Sequence, residues 1–304
     1  MILNRPYIFK KYQWLKNKKN KFIISADFDG LICASFLHHY LNWELVGYYN
    51  MENIWISKEG LKHKRDLVWV DLNIVPKQGK AIGGHITIYN DETPKGLDSS
   101  CNPNLLMGLS QNDFRKKFPF STITFLLWLF NKKIPFNEIA KLLVLHSDSS
   151  WMKIQKYPSN INNWINILND YDVMWNYLTT CGSVDFEKTI DQHFYPLLSM
   201  HGAHTGFSKL KSKHLKIQSR ECILNPDWDE DVILNLFDLF AQYLSWDPPL
   251  IPPIASVIKG KKYSIPLNSI KKIGLNQFIK NNKVFSYAIT SPKTLKYTVF
   301  NPIK

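Results

Sequence analysis

No stretch of this 304-residue chain is apolar for long enough to cross a bilayer. The longest apolar run near the middle, Ile123 to Phe130 with one threonine, falls far short of the roughly 20 residues a span needs, so no membrane partner is expected. An apolar signal core is also missing at the start, where Asn4 and Arg5 open a basic run, and no secretory segment is expected. Cysteine is sparse. Cys33, Cys101, Cys181 and Cys222 have neither the paired spacing of a zinc site nor the density of a disulfide framework, which points to a reducing, cytoplasmic setting. Internal repeats and low-complexity tracts are absent as well.

Acidic residues are outnumbered, 25 Asp and Glu against 38 Lys and Arg, for a formal charge of +13. Such a balance favours a polyanionic partner, nucleic acid or an anionic surface, unless it reflects a generally lysine-rich proteome. With 45% hydrophobic residues the chain is long enough for a full core and for two domains.

The stretch that carries most information is KFIISADFDGLICASFL, Lys21 to Leu37. Phe22, Ile23 and Ile24 read as a buried parallel strand, and Leu31, Ala34, Ser35 and His38 recur at helical spacing after Gly30. Asp27 and Asp29 thus follow the carboxyl end of a strand, the edge where open α/β sheets place ligands. Two carboxylates this close repel unless a cation or proton separates them, which suggests a divalent metal; the alternative is that one caps the helix and the other is solvated.

A second strand is expected at ELVGYYN (Glu44 to Asn50) and a third at LVWVDLN (Leu67 to Asn73), again ending on an acid, Asp71. A fourth, ITIYN after His85, is expected to end in Asn90, Asp91 and Glu92. Three parallel strands finishing on carboxylates would gather them on one edge, as a two-metal site requires. Further on, FPFSTITFLLWLF (Phe118 to Phe130) and PFNEIAKLLVLH (Pro135 to His146) read as buried helices, the second breaking into HSDSSW with Asp148 at its end. Ile161 to Leu178 has a wide helical apolar face, and Asp227 to Trp246 an acidic start before a helical stripe. The tail, VFSYAITSPKTLKYTVF, reads as a hairpin about Ser-Pro-Lys. The aromatics and lysines of Arg5 to Lys21 suit either base stacking with phosphate tracking or an amphipathic lead-in helix. His201 and His204, in SMHGAHTGFSK, lie on a glycine turn of the kind that approaches a phosphate, or are ordinary core and surface residues.

Taken together, SADFDGLICASFL, VWVDLNI, ITIYNDETP followed by CNPN, and LHSDSS resemble in order and rough spacing the four motifs of the DHH phosphoesterase superfamily, which includes RecJ-type exonucleases and small-oligonucleotide phosphodiesterases. The likeness covers about residues 20 to 150. Asn90, Asp91 and Glu92 stand where the family has Asp-His-His, His85 is the nearest histidine, and Ser25 and Ile23 stand where another ligand often precedes Asp27.

The resemblance implies a doubly wound, mainly parallel α/β domain over residues 1–180 and a smaller α+β domain over residues 181–304 that closes the cleft. It implies two Mn²⁺ or Mg²⁺ ions, one site degenerate, held by Asp27, Asp29, Asp71, Asp91 and Asp148, with Asp71 bridging. His85 and Glu92 join Asp71 and Asp91 as catalytic candidates. Lys261 and Lys262, with lysines such as Lys259, Lys271, Lys272 and Lys296, are expected to hold substrate with His201 and His204. The implied activity is hydrolysis of single-stranded nucleic acid or short oligonucleotides by metal-activated water; the alternative is an inactive scaffold or nucleic-acid-binding subunit of a protein complex.

Overall fold

The computed structural model describes residues 3–75, 79–203 and 210–300. Two units emerge, each assembled from separate stretches of chain. A helical unit takes Met1–Tyr7, Ala26–Leu41 and Pro119–Pro249, and a sheet unit takes Ile8–Ser25, Asn42–Phe118 and Leu250–Lys304.

The sheet unit is built on β1 (Lys21–Ser25), whose Phe22, Ile23 and Ile24 are wholly buried, as a run with no polar face must be in a central strand. With β2 (Glu44–Tyr49), β3 (Asn53–Ser57), β4 (Val68–Val70), β5 (Lys80–Ile82), β6 (Ser100–Cys101) and β7 (Ile254–Lys259) it forms a seven-stranded sheet in the order β6-β5-β4-β1-β2-β3-β7. Pairing is parallel from β6 through β2 and antiparallel at β2/β3 and β3/β7. The β2/β3 turn is made by Asn50, whose side chain accepts from the N–H groups of Glu52 and Asn53 at 3.0 and 2.7 Å. Opposite it, a Cβ at Gly47 would lie 2.2 Å from the Trp55 carbonyl oxygen, so only glycine lets these strands close.

A smaller antiparallel sheet, order β8-β10-β9, comprises β8 (Lys261–Pro266), β9 (Val284–Ser291) and β10 (Thr294–Val299). Its last two strands are the hairpin read from the tail sequence. Leu295, Tyr287, Ile289 and Tyr297 bury one face with Leu275 and Phe278 of the Leu275–Asn281 helix.

The strand expected over Ile86–Asn90 does not join the large sheet. Beside β4 lies β5 instead, and Ile86 and Ile88 make only single bridges, to Ile289 and Ser110. Asn90 and Asp91 both have positive φ, 48° and 60°, and Glu92 N–H returns to the Tyr89 carbonyl at 3.0 Å. That is the two-residue mirror-image turn that Asn and Asp tolerate. Gln111 fixes it by donating to the Asn90 side chain and accepting its backbone N–H.

In the helical unit, the Phe28–Leu41 helix is buried over its first ten residues. Ser121 and Asn137 cap the Thr122–Leu129 and Glu138–His146 helices by accepting from Thr124 and Ala140 N–H. The apolar stripe from Ile161 to Leu178 is cut in two, Pro158–Ile167 and Asp172–Thr179, with Asp170 left-handed at φ 63° between them. Among the described residues no helix is long and apolar enough to cross a membrane.

Candidate functional site

Counting only the parallel strands, the large sheet runs 2-1-3-4-5, so the order reverses between β1 and β4, and the crevice beyond their carboxyl ends is where such sheets bind ligands. Ser25 ends β1 and Asp71 follows β4. The Ser25 hydroxyl donates to Asp71 Oδ2 at 2.7 Å across that point. Asp71 is left-handed, φ 60°, a conformation that costs a non-glycine residue about 1 kcal/mol or more and that aspartate tolerates better than most. Leu72 N–H is tied to the Ile82 carbonyl at 3.1 Å, and a Cβ at Gly83 would meet the Leu72 carbonyl oxygen at 2.7 Å, so Gly83 permits the approach. Turn and neighbour together hold Asp71 in place.

The loop beyond Gly83 is pinned by the buried asparagines of CNPN. Asn102 donates to the Asn73 side chain at 3.0 Å and to the His85 carbonyl at 2.8 Å, and caps the Pro103–Leu106 helix. Asn104 donates to the Gly84 carbonyl and accepts from Phe118 N–H. His85 itself is exposed.

Asp27, Asp29 and Asp148 fall in the helical unit, where they form one electrostatic group. Asp27 Oδ1 accepts Gly30 N–H at 2.9 Å and so caps the Phe28–Leu41 helix. Asp29 is 3% exposed and turned to the start of another helix, accepting Thr122 N–H at 2.7 Å and Ile123 N–H at 3.1 Å. Burial first, then Asp148, then Asp27, push its carboxyl up to about 8 against the pull of those two N–H bonds. Asp148 and Ser149 are both left-handed at φ 54°, with Lys153 Nζ 3.8 Å from the Asp148 carboxylate. A fourth acid, Glu221, joins from a segment that bridges to the chain just before that first helix. Leu224 N–H reaches the Ala26 carbonyl and Phe28 N–H the Cys222 carbonyl. Ser149 Oγ donates to Glu221 at 3.0 Å, and its carboxyl is raised by desolvation and then by Asp148. The Glu221 residue has an exposed surface overall, so the desolvation is local to its carboxylate. Buried His146, edge-on to Phe28 at 4.7 Å, is lowered to about 4 by desolvation and is neutral at pH 7.

For Mn²⁺ or Mg²⁺ the relevant observation is that several oxygens of this donor set already accept backbone N–H groups. Both Asp29 oxygens accept backbone N–H, Asp27 caps a helix, and among the described residues no three His, Cys, Asp or Glu side chains are placed to hold a metal ion.

The remaining candidates are dispersed. Asp91 is exposed at its turn tip. Glu92 accepts the N–H groups of Leu275 and Asn276 at 2.6 and 2.9 Å. Burial raises its carboxyl, but the bonds from Asn276 and Leu275 outweigh that and hold it below the ordinary range. Lys261 and Lys262 are exposed on edge strand β8. His201 ends the Tyr195–Met200 helix, half-buried, and His204 lies outside the described residues. Comparison with protein-family models, curated proteins and solved structures gives no match for this chain. Sequence reasoning missed Glu221, which stands in an irregular stretch with no periodicity to mark it.

Proposed function

We propose that the chain binds single-stranded nucleic acid through its sheet unit, as a DHH-like scaffold whose carboxylates serve the fold more than a hydrolytic metal. The observation that carries this is the distribution of charge. The sheet unit holds 26 Lys and Arg against 9 Asp and Glu, whereas the helical unit holds 12 against 16. A generally lysine-rich composition would spread over both. From Pro248 onward there are ten lysines and no acidic residue. Concentrated point charges of this sort neutralise phosphates without reading bases.

The non-hydrolytic form is favoured by the occupation of Asp29 and Glu92 as backbone acceptors at helix starts. A metal-dependent phosphodiesterase is the second reading, favoured by one feature, Asp71 held left-handed at the switch point beside Ser25. Incubating labelled single-stranded DNA and RNA with the protein and Mn²⁺ separates them. Retained strands of unchanged length support the scaffold. Shortened product that disappears in Asp71→Asn transfers the conclusion to the phosphodiesterase, and no retention at low salt refutes nucleic-acid binding.

A further inference from the structure

We infer that the amino-terminal edge of the seven-stranded sheet, the end of the strands away from Ser25 and Asp71, is the face that holds the nucleic-acid backbone. The inference rests on the nucleic-acid reading above and assigns it a surface. β5, β4 and β1 are adjacent and parallel, in register through Phe22↔Val68 and Val68↔Lys80, so the residues that lead into them emerge along one edge. Neighbouring strands are about 4.8 Å apart, which sets these three entries within roughly 10 Å.

All three entries are cationic. Lys16, Lys18, Lys19 and Lys21 lead into β1; Lys62, Lys64 and Arg65 lead into β4; Lys80 begins β5. Three acids stand among them, and they are engaged. Glu44 and Glu59 lie 2.5 and 3.1 Å from Lys21 Nζ, Glu59 also meets Lys62 and His63, and Asp66 is 4.0 Å from Lys80. Lys16, Lys18, Lys19, Lys64 and Arg65 are exposed and form no ion pair among the described residues.

The cations are also mounted firmly. Trp43 Nε1 donates to the Asn17 carbonyl at 2.8 Å, Asn20 Nδ2 to the Trp14 carbonyl at 2.9 Å, and Asn20 carbonyl receives Glu44 N–H at 2.9 Å. The Trp14, Trp43 and Phe22 rings back this turn at 6.4 and 6.2 Å. Lys19 adopts φ 76° at the tip, where glycine or asparagine would sit more easily. An anionic bilayer fits less well, because Leu61, 36% exposed, is the one large apolar side chain offered by these segments among the described residues. β1 spans five residues, or roughly 13 Å, so a strand held here is separate from the Ser25–Asp71 end.

The test compares salt-titrated anisotropy of a labelled single strand for three full-length proteins: wild type, K18E/K19E/K64E/R65E, and a control with equal charge change in the helical unit, K133E/K156E/K188E/K211E. Melting curves establish that each is folded; if the first is not, the corresponding glutamine variant replaces it. The inference predicts a loss of 100-fold or more in affinity for the amino-edge variant, with a salt slope shallower by about 0.7 per phosphate contact removed, and a much smaller loss for the control. Equal losses in both variants, or unchanged binding in the amino-edge variant, overturn this surface while the nucleic-acid reading stands. No binding by wild type overturns both. Phosphatidylserine vesicles run alongside give a further refutation, namely vesicle binding abolished by the four substitutions with oligonucleotide binding intact.

Discussion

Asp29→Asn separates the two contributions of that buried carboxyl. Its carboxyl is raised to about 8 in the fold, above the ordinary aspartate value, so between those limits the native state keeps a proton that the unfolded chain releases. Stability from this group is complete below about pH 4 and is lost as pH rises through 8, at up to ~1.4 kcal/mol per pH unit. The whole shift would amount to ~5–6 kcal/mol; since Asp148 is partly solvated and its repulsion screened, about half is the better expectation. Asparagine does not titrate, but its single oxygen serves only one of the Thr122 and Ile123 N–H groups, leaving the other against an amide donor at a cost of ~1–3 kcal/mol. Asp29→Asn should therefore melt below wild type at pH 5, with the gap closing or reversing by pH 9. At ~2–4 °C per kcal/mol, the difference between the two melting temperatures should move by about 5–10 °C over that range. A difference that stays constant at pH 5, 7 and 9 would refute the argument.

His146→Phe should relieve acid sensitivity. The neutral buried imidazole, lowered to about 4, makes wild type lose stability as pH falls from about 6.5 toward 4, and equilibrium unfolding at pH 6 and 4.5 should show the variant losing less. Glu92→Gln should cost ~1–2 kcal/mol at pH 7 by weakening the hold on Leu275 and Asn276 N–H, and progressively less as acid protonates the glutamate, whose carboxyl the fold holds below its ordinary range; urea titrations across acid pH check this. Asn102→Ala removes a helix cap and two buried donor bonds and should destabilise by ~2–4 kcal/mol in urea titrations. Asp71→Asn, which tolerates φ 60° and still accepts from Ser25, should unfold within ~1 kcal/mol of wild type, whereas Asp71→Ala should lose more.

Much of the framework was legible where local chemistry and tertiary demand agree. Phe22–Ile24 has no polar face to offer water and became the central strand; the apolar runs within Phe118–Phe130 and Pro135–His146 became buried helices; the tail alternation about Ser291–Lys293 became the hairpin. Legibility failed where a pattern lacked its partner. Ile86–Asn90 alternates like a strand, but the ladder beside β4 is filled by Lys80–Ile82, and Asn90-Asp91 is better suited to a reversed turn than to a strand end. The aspartates of DFD and HSDSS were expected to share a metal, and in the fold Asp27 and Asp148 raise the carboxyl of Asp29. Asp27 capping its own helix is the local alternative the sequence offered, whereas Asp29's use of the Thr122 and Ile123 N–H groups, and Glu221 beside Ser149, depend on segments distant in sequence and leave no mark in spacing.

Nucleic-acid binding is tested most directly by the salt dependence of single-strand affinity in the wild-type protein. The charge concentrated in the sheet unit predicts a steep linear fall of log K with log salt, by about 0.7 for each phosphate neutralised and so by 3 or more for a backbone spanning the edge. A flat response, or no binding at low salt, would contradict the account.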